Sequence, residues 1–167
     1  GLNFTQCYDL PTYNKEVETF KVTDVNGNLV GILYTDYFPR AGKRPGAWMN
    51  DICSQYVDEN GIDHRPVIIN VGNFNRPTKD QPSLLSMDDV ETLFHEFGHA
   101  LHGLLSKAHY KSLSGTNVPR DFVEMPSQFM ENYCYQPEIM HTYAFHYQSG
   151  ELMPDSLIEK IGKAAKF

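Results

Sequence analysis

Phe94-His95-Glu96-Phe97-Gly98-His99 is the stretch from which the rest of this chain can be read, because it matches the pattern H-E-x-x-H. On a helix His95 and His99 stand one turn apart, so both imidazoles can reach one metal ion, while Glu96 flanks it about 100° round the axis from His95. That is the arrangement of a zinc peptidase. The flanking sequence supports a helix, since Ser86 lies three residues before Asp89 at capping-box spacing. With Leu93 at zero, Val90, Phe97, Leu101, Leu104, Phe94 and Leu105 fall between about 0° and 120°, whereas His102, His95, His99 and Glu96 fall between about 180° and 300°. The helix is expected to turn one face to a core and the other to chemistry.

A catalytic zinc takes three protein ligands and leaves a fourth position for water, so two histidines are too few. A third His six residues past the second is absent, because that position is Leu105. The other known arrangement uses a Glu from a later helix. Glu124, in Asp121-Phe122-Val123-Glu124-Met125-Pro126-Ser127, is the candidate, since the Ser114-Gly115-Thr116-Asn117 loop lets the second helix turn back on the first. His95, His99 and Glu124 then form a His₂Glu metal site, and Glu96 stays off the metal to act as general base. Asp121 and Glu131 are candidates to fix the imidazole tautomers, Glu131 because it lies two turns from Glu124 on one helix face. His102 shares the chemical face without ligand spacing and is assigned to bracing or lining the cleft. His64, His109, His141 and His146 fit no such geometry and read as surface or satisfied residues. Tyr133, Tyr135, Tyr143 and Tyr147 sit at helical spacing and read as packing.

Elsewhere, residues 1–16 show no clear period and are expected to be irregular or partly helical. Thr19 to Thr23 alternate around Phe20 and Val22, Asn26-Gly27-Asn28 can turn, and Leu29 to Tyr34 is apolar, which together predict a β-hairpin. Pro39 to Gly46 forms a loop that Trp48 and Met49 close, and Val67 to Val71 is a short β-branched strand. A second helix is expected from Pro119 to about Tyr135, kinked or broken at Pro126. A third runs from Gln136-Pro137 to about Gln148, and a fourth from Pro154 to the C-terminus. The fold class is α+β: a small antiparallel sheet within about residues 18–75, then about four helices across 86–167.

At 167 residues, with 41% hydrophobic and 13% aromatic content, the chain has globular composition. A net charge of −7, from 14 basic and 21 acidic residues without a basic cluster, argues against nucleic-acid partners. No run approaches the roughly 20 apolar residues of a membrane span, and no signal-peptide layout is present. Cys7, Cys53 and Cys134 are odd in number and lack C-x-x-C spacing, which reads as packed, reduced thiols in a cytoplasmic protein. A periplasmic location stays open, because the chain starts at Gly1 without a Met and is expected to be a fragment.

These residues also carry a resemblance. Phe94 to His102, then Leu113-Ser114-Gly115-Thr116-Asn117, then Pro119 to Gln128 with Glu131, resemble the thimet-oligopeptidase family of zinc peptidases, most closely its bacterial peptidyl-dipeptidase branch. His146 to Gly150, Met153-Pro154-Asp155 and Gly46-Ala47-Trp48-Met49 are similar as well, so the likeness runs from about residue 18 to the end. It implies one Zn2+ per chain on His95, His99 and Glu124, with Glu96 as base, in a deep channel that admits short peptides and excludes folded proteins. A zincin-like, mainly helical, monomeric full-length enzyme that releases C-terminal dipeptides is implied. So is a place for Val67 to Val71 in a small sheet beside the cleft, whose edge strand could pair with substrate backbone. Family members are several times longer, and their oxyanion-stabilising Tyr and His lie beyond Phe167. The chain is therefore expected to be a partial catalytic domain, weakly active or inactive alone. Two alternatives stand: an oligopeptidase of the same family that cuts internally, and a non-catalytic zinc-binding or interaction module, for which Glu96 would have no use.

Overall fold

The computed structural model describes residues 1–164, and the expected hairpin organises its first half. Strands β2 (Glu18–Asp24) and β3 (Leu29–Asp36) pair antiparallel. Asp24 closes their turn by accepting the N–H groups of Asn26 and Asn28, and Gly27 supplies the positive φ. The N-terminal expectation is corrected: Leu2–Cys7 is strand β1, paired antiparallel with β2 from Leu2↔Asp24 to Cys7↔Thr19. Only Leu2 and Phe4 alternate there, too few positions for a period to register, so the neighbouring strand creates the structure.

The chain continues as β4 (Trp48–Cys53), the two-residue strands β5 (Tyr56–Val57) and β6 (Asp63–His64), and β7 (Val67–Val71). The main sheet has the order β1-β2-β3-β7-β4, and β3 and β7 run parallel, so the expected antiparallel sheet is in fact mixed. Residues 37–66 are long enough to carry the chain back to the same end of the sheet, as a parallel pair requires. Trp48 does more than close a loop, because it starts the outer strand β4, which pairs antiparallel with β7. Cys134 is buried as expected, but Cys53 is exposed on this outer strand.

Helix α1 (Met87–Leu104) crosses the sheet, with Ser86 and Asp89 forming the expected capping box. Val22, Leu33 and Ile68 meet Ala100 and Leu104 in the core, with Phe97 packed beside them. The apolar stripe counted from the sequence needs correction, because Leu105 is 52% exposed and the buried positions include Glu96, Gly98 and Gly103. Small residues escape a hydrophobic count, yet they set the approach. A Cβ on Gly103 would lie 2.7 Å from Ile68 Cδ1, and one on Gly31 would lie 2.6 Å from Leu104 Cδ2. Arg65 fastens the C-terminal end of the helix to the sheet, donating to the carbonyls of Leu104 (2.6 Å), Ser106 (2.9 Å) and Val30 (2.8 Å).

The second helix is broken, as Pro126 foretold, into α2 (Arg120–Val123) and α3 (Met125–Cys134), with Glu124 at the joint. Helix α4 (Pro137–Tyr143) is shorter than expected. Instead of continuing to Gln148, the chain forms a loop closed by a Phe145↔Leu152 bridge, with Gly150 at φ +72. Helix α5 (Asp155–Ala164) follows Pro154, and the expected continuation at 165–167 lies outside the described residues. No helix among the described residues is long and apolar enough to cross a membrane.

A buried ionic node ties the 37–47 segment to the sheet. Asp36, 2% exposed, accepts from Arg40 (2.7 and 2.8 Å), Lys43 (3.0 Å) and Tyr13 (2.5 Å), and Lys43 also binds the carbonyls of Asp36, Phe38 and Gly72. Burial alone would raise the Asp36 pKa, but Arg40, Tyr13 and Lys43 outweigh it and bring it to about 2 from 3.8. A carboxylate depressed by folding stabilises above its unfolded pKa and loses that contribution as pH falls through the folded value. Between about pH 4 and pH 2 this node should lose about 2–3 kcal/mol of stability, and in Asp36→Asn that segment of the pH–stability curve should flatten. Urea unfolding at stepped pH measures it; an unchanged acid limb in the variant would refute the assignment.

Candidate metal centre

Helix α1 presents His95 and His99 one turn apart, with ring centroids 4.9 Å apart and planes at 84°. Glu124 reaches them from the α2–α3 joint, and that approach depends on Gly98. A Cβ there would stand 2.6 Å from Ser127 Cα and 2.7 Å from the Pro126 carbonyl, so α3 lies directly on the backbone of α1. Glu124 Oε2 is consequently 3.4 Å from His95 Nε2 and 3.2 Å from His99 Nε2. The ligand atoms of the three residues lie within 4.8 Å of one another. Two imidazole nitrogens and a carboxylate oxygen suit Zn2+ in identity and number, and they converge without help from Glu96.

Hydrogen bonds orient these groups. Glu131 Oε1 lies 2.5 Å from His95 Nδ1, which places the proton on Nδ1 and turns the Nε2 lone pair to the cluster. Ser127 Oγ donates to Glu124 Oε2 at 2.9 Å and so aims that carboxylate. Glu131 is thus brought to an imidazole. Asp121 is exposed on α2 and makes no side-chain hydrogen bond among the described residues, so it is not brought to an imidazole. His102 is half-buried and meets the edge of Phe122 at 6.1 Å, beside an apolar groove between α1 and α3 that Leu101, Met125 and Phe129 also line.

Burial raises the Glu96 pKa and neighbouring Glu124 adds to this, whereas His95 and the backbone N–H of Met49 favour the ionised form. The His99 pKa is lowered by burial, against the pull of Glu124, which favours the neutral imidazole that a metal ligand must be. Burial lowers that of His102 as well. Away from the cluster, His64 pairs with Asp58, His141 with Asp155 and His146 with Ser149. Tyr135 donates to Glu91 and Tyr143 to the Cys134 carbonyl, while Tyr133 and Tyr147 are exposed outside the core, against the rings of Phe129 and His146. Sequence reasoning missed Ser127 and the role of Gly98. A glycine inside a helical pattern was the available signal for the second, and nothing marked the first.

The sequence profile described as Peptidase family M3 matches residues 1–167. The chain belongs to peptidase family M3. Dipeptidyl carboxypeptidase of Escherichia coli K12 is 45% identical over 168 residues, covering 100% of this chain and 24% of that protein. Oligopeptidase A of the same organism is 40% identical, covering 100% of this chain and 25% of that protein. A thimet-like oligopeptidase of Dictyostelium discoideum is 36% identical over 96% of the chain and 24% of its own length, in keeping with the resemblance carried by the motif helix. The chain spans about a quarter of the length of these M3 relatives.

Proposed function

We propose that this chain carries the metal centre of a zinc-dependent peptidase that hydrolyses short peptides, with His95, His99 and Glu124 as ligands and Glu96 as general base. The observation that carries this is the convergence of two imidazole nitrogens on Glu124 Oε2, with the buried carboxylate of Glu96 beside them and outside the ligand set. When bound, zinc supplies Lewis acidity, bringing the pKa of a coordinated water to about 7 and polarising the peptide carbonyl. Glu96 accepts the proton of the attacking water on a carboxylate oxygen and returns it to the leaving amine. Glu131 holds the His95 tautomer, and Ser127 holds the Glu124 carboxylate. The outward edge of β4 offers peptide groups with which an extended substrate can pair.

Release of C-terminal dipeptides is the preferred specificity, supported by the 45% identity to a dipeptidyl carboxypeptidase against 40% to Oligopeptidase A. Internal cleavage is the second reading, supported by the same Oligopeptidase A relationship. A non-catalytic zinc module is disfavoured because a purely structural site does not require the carboxylate of Glu96 buried beside the cluster. Residues 1–167 form, in this reading, the metal-bearing part of a monomeric, cytoplasmic enzyme. The native protein that carries this chain should contain one zinc and cleave short peptides with free C-termini but not their C-terminal amides. Equal cleavage of both sets would discard dipeptide release in favour of internal cutting, and hydrolysis that survives complete metal removal would discard the whole assignment.

A further inference from the structure

The face of the sheet that packs on α1 is apolar at Val22, Leu33 and Ile68, then turns polar at Thr35 and Asn70, which are neighbours on β3 and β7. Asn70 is 1% exposed, and neither its Oδ1 nor its Nδ2 has a hydrogen-bond partner among the described residues. An amide buried with both ends unpaired is costly, and a leucine, branched at the same Cγ, would carry no such polar cost. Glu96 provides the complementary group. Its Oε2 is likewise buried and unpartnered, and because an ionised carboxylate can only accept, it needs a donor. Pairing register links the two through β4: Asn70 lies opposite Met49, whose backbone N–H favours the ionised form of Glu96. Buried polar groups that find no protein partner are satisfied by ordered water, which makes two to four hydrogen bonds.

We propose that Asn70 is a positioning residue for Glu96: its Nδ2–H holds one buried water, and that water donates to Glu96 Oε2, keeping the carboxylate turned off the metal and toward the attacking water. Asn70 touches neither metal nor substrate, and its effect passes wholly through Glu96. The inference rests on the role given to Glu96 above.

The test measures kcat, KM, zinc stoichiometry and thermal midpoint in the native protein carrying Asn70→Leu, Asn70→Ala, Asn70→Ser and, separately, Glu96→Gln. Asn70→Leu should hold its zinc and its KM, while kcat falls about 10- to 100-fold. Asn70→Ser restores a donor and leaves room for water, so its kcat should exceed that of Asn70→Ala, a comparison that stands even if the leucine variant folds poorly. Wild-type kcat in Asn70→Leu, equal kcat in the Ser and Ala variants, or zinc lost in step with kcat would each overturn the proposal. Turnover lost in Glu96→Gln but intact in Asn70→Leu would overturn it alone; turnover intact in Glu96→Gln would overturn the catalytic reading with it.

Discussion

Glu96→Gln should keep one zinc per chain and lower kcat about 10²- to 10⁴-fold, the range of a lost general base. The substitution preserves shape and removes only basicity. Glu96 stands outside the group formed by His95, His99 and Glu124, so the ligand atoms are untouched. Nor should the fold suffer. The residue is 8% exposed and its pKa is raised chiefly by burial, so a neutral amide relieves a desolvated charge, and unfolding stability without metal should be unchanged or higher. Metal analysis and peptide hydrolysis on the same preparation make the measurement. A variant that loses its zinc would place Glu96 among the ligands, and one with undiminished turnover would remove it from the chemistry.

The second expectation concerns a residue with no side chain. Gly98→Ala should gain about 1 kcal/mol from helix propensity and yet weaken zinc binding. Its Cβ would lie 2.6 Å from Ser127 Cα and 2.7 Å from the Pro126 carbonyl, overlaps with backbone that no rotamer change relieves. Overpacking of this kind costs about 1–3 kcal/mol, so it exceeds or cancels the propensity gain, and the strain is released by withdrawal of α3. Glu124 withdraws with it. Placed on the metal equilibrium, that energy amounts to roughly a 5- to 150-fold loss of zinc affinity, while the stability of the metal-free protein changes little. Competition with a chelator of known affinity measures the first quantity and thermal unfolding the second. Wild-type affinity in Gly98→Ala would mean that the contact between α1 and α3 does not set the position of Glu124.

Much of the site could be read along the chain because its grammar is local. One helical turn separates His95 from His99, and the Ser86–Asp89 box starts the helix that carries them; the profile match to peptidase family M3 agrees with that reading. Glu124 and Glu131 could also be nominated from the sequence, and the structure brings Glu124 to His99 and Glu131 to His95. Asp121 is not brought to an imidazole, because α2 separates from α3 at Glu124 and leaves its side chain exposed on α2.

Strand β1 and the parallel pairing of β3 with β7 were not legible, since each is decided by a partner distant in sequence. By itself, then, the sequence determined the motif helix and the hairpin, which follow from spacing within a few residues, and it offered His95, His99, Glu124 and Glu96 as candidates for the site. Tertiary structure alone decided how closely the pieces stand: Gly98 against Ser127, Gly103 against Ile68, and Asn70 across from Met49. The reason is physical. Glycine and a buried amide add nothing to a hydrophobic pattern, yet the absence of a Cβ and the need for a hydrogen-bond partner act only when another segment arrives.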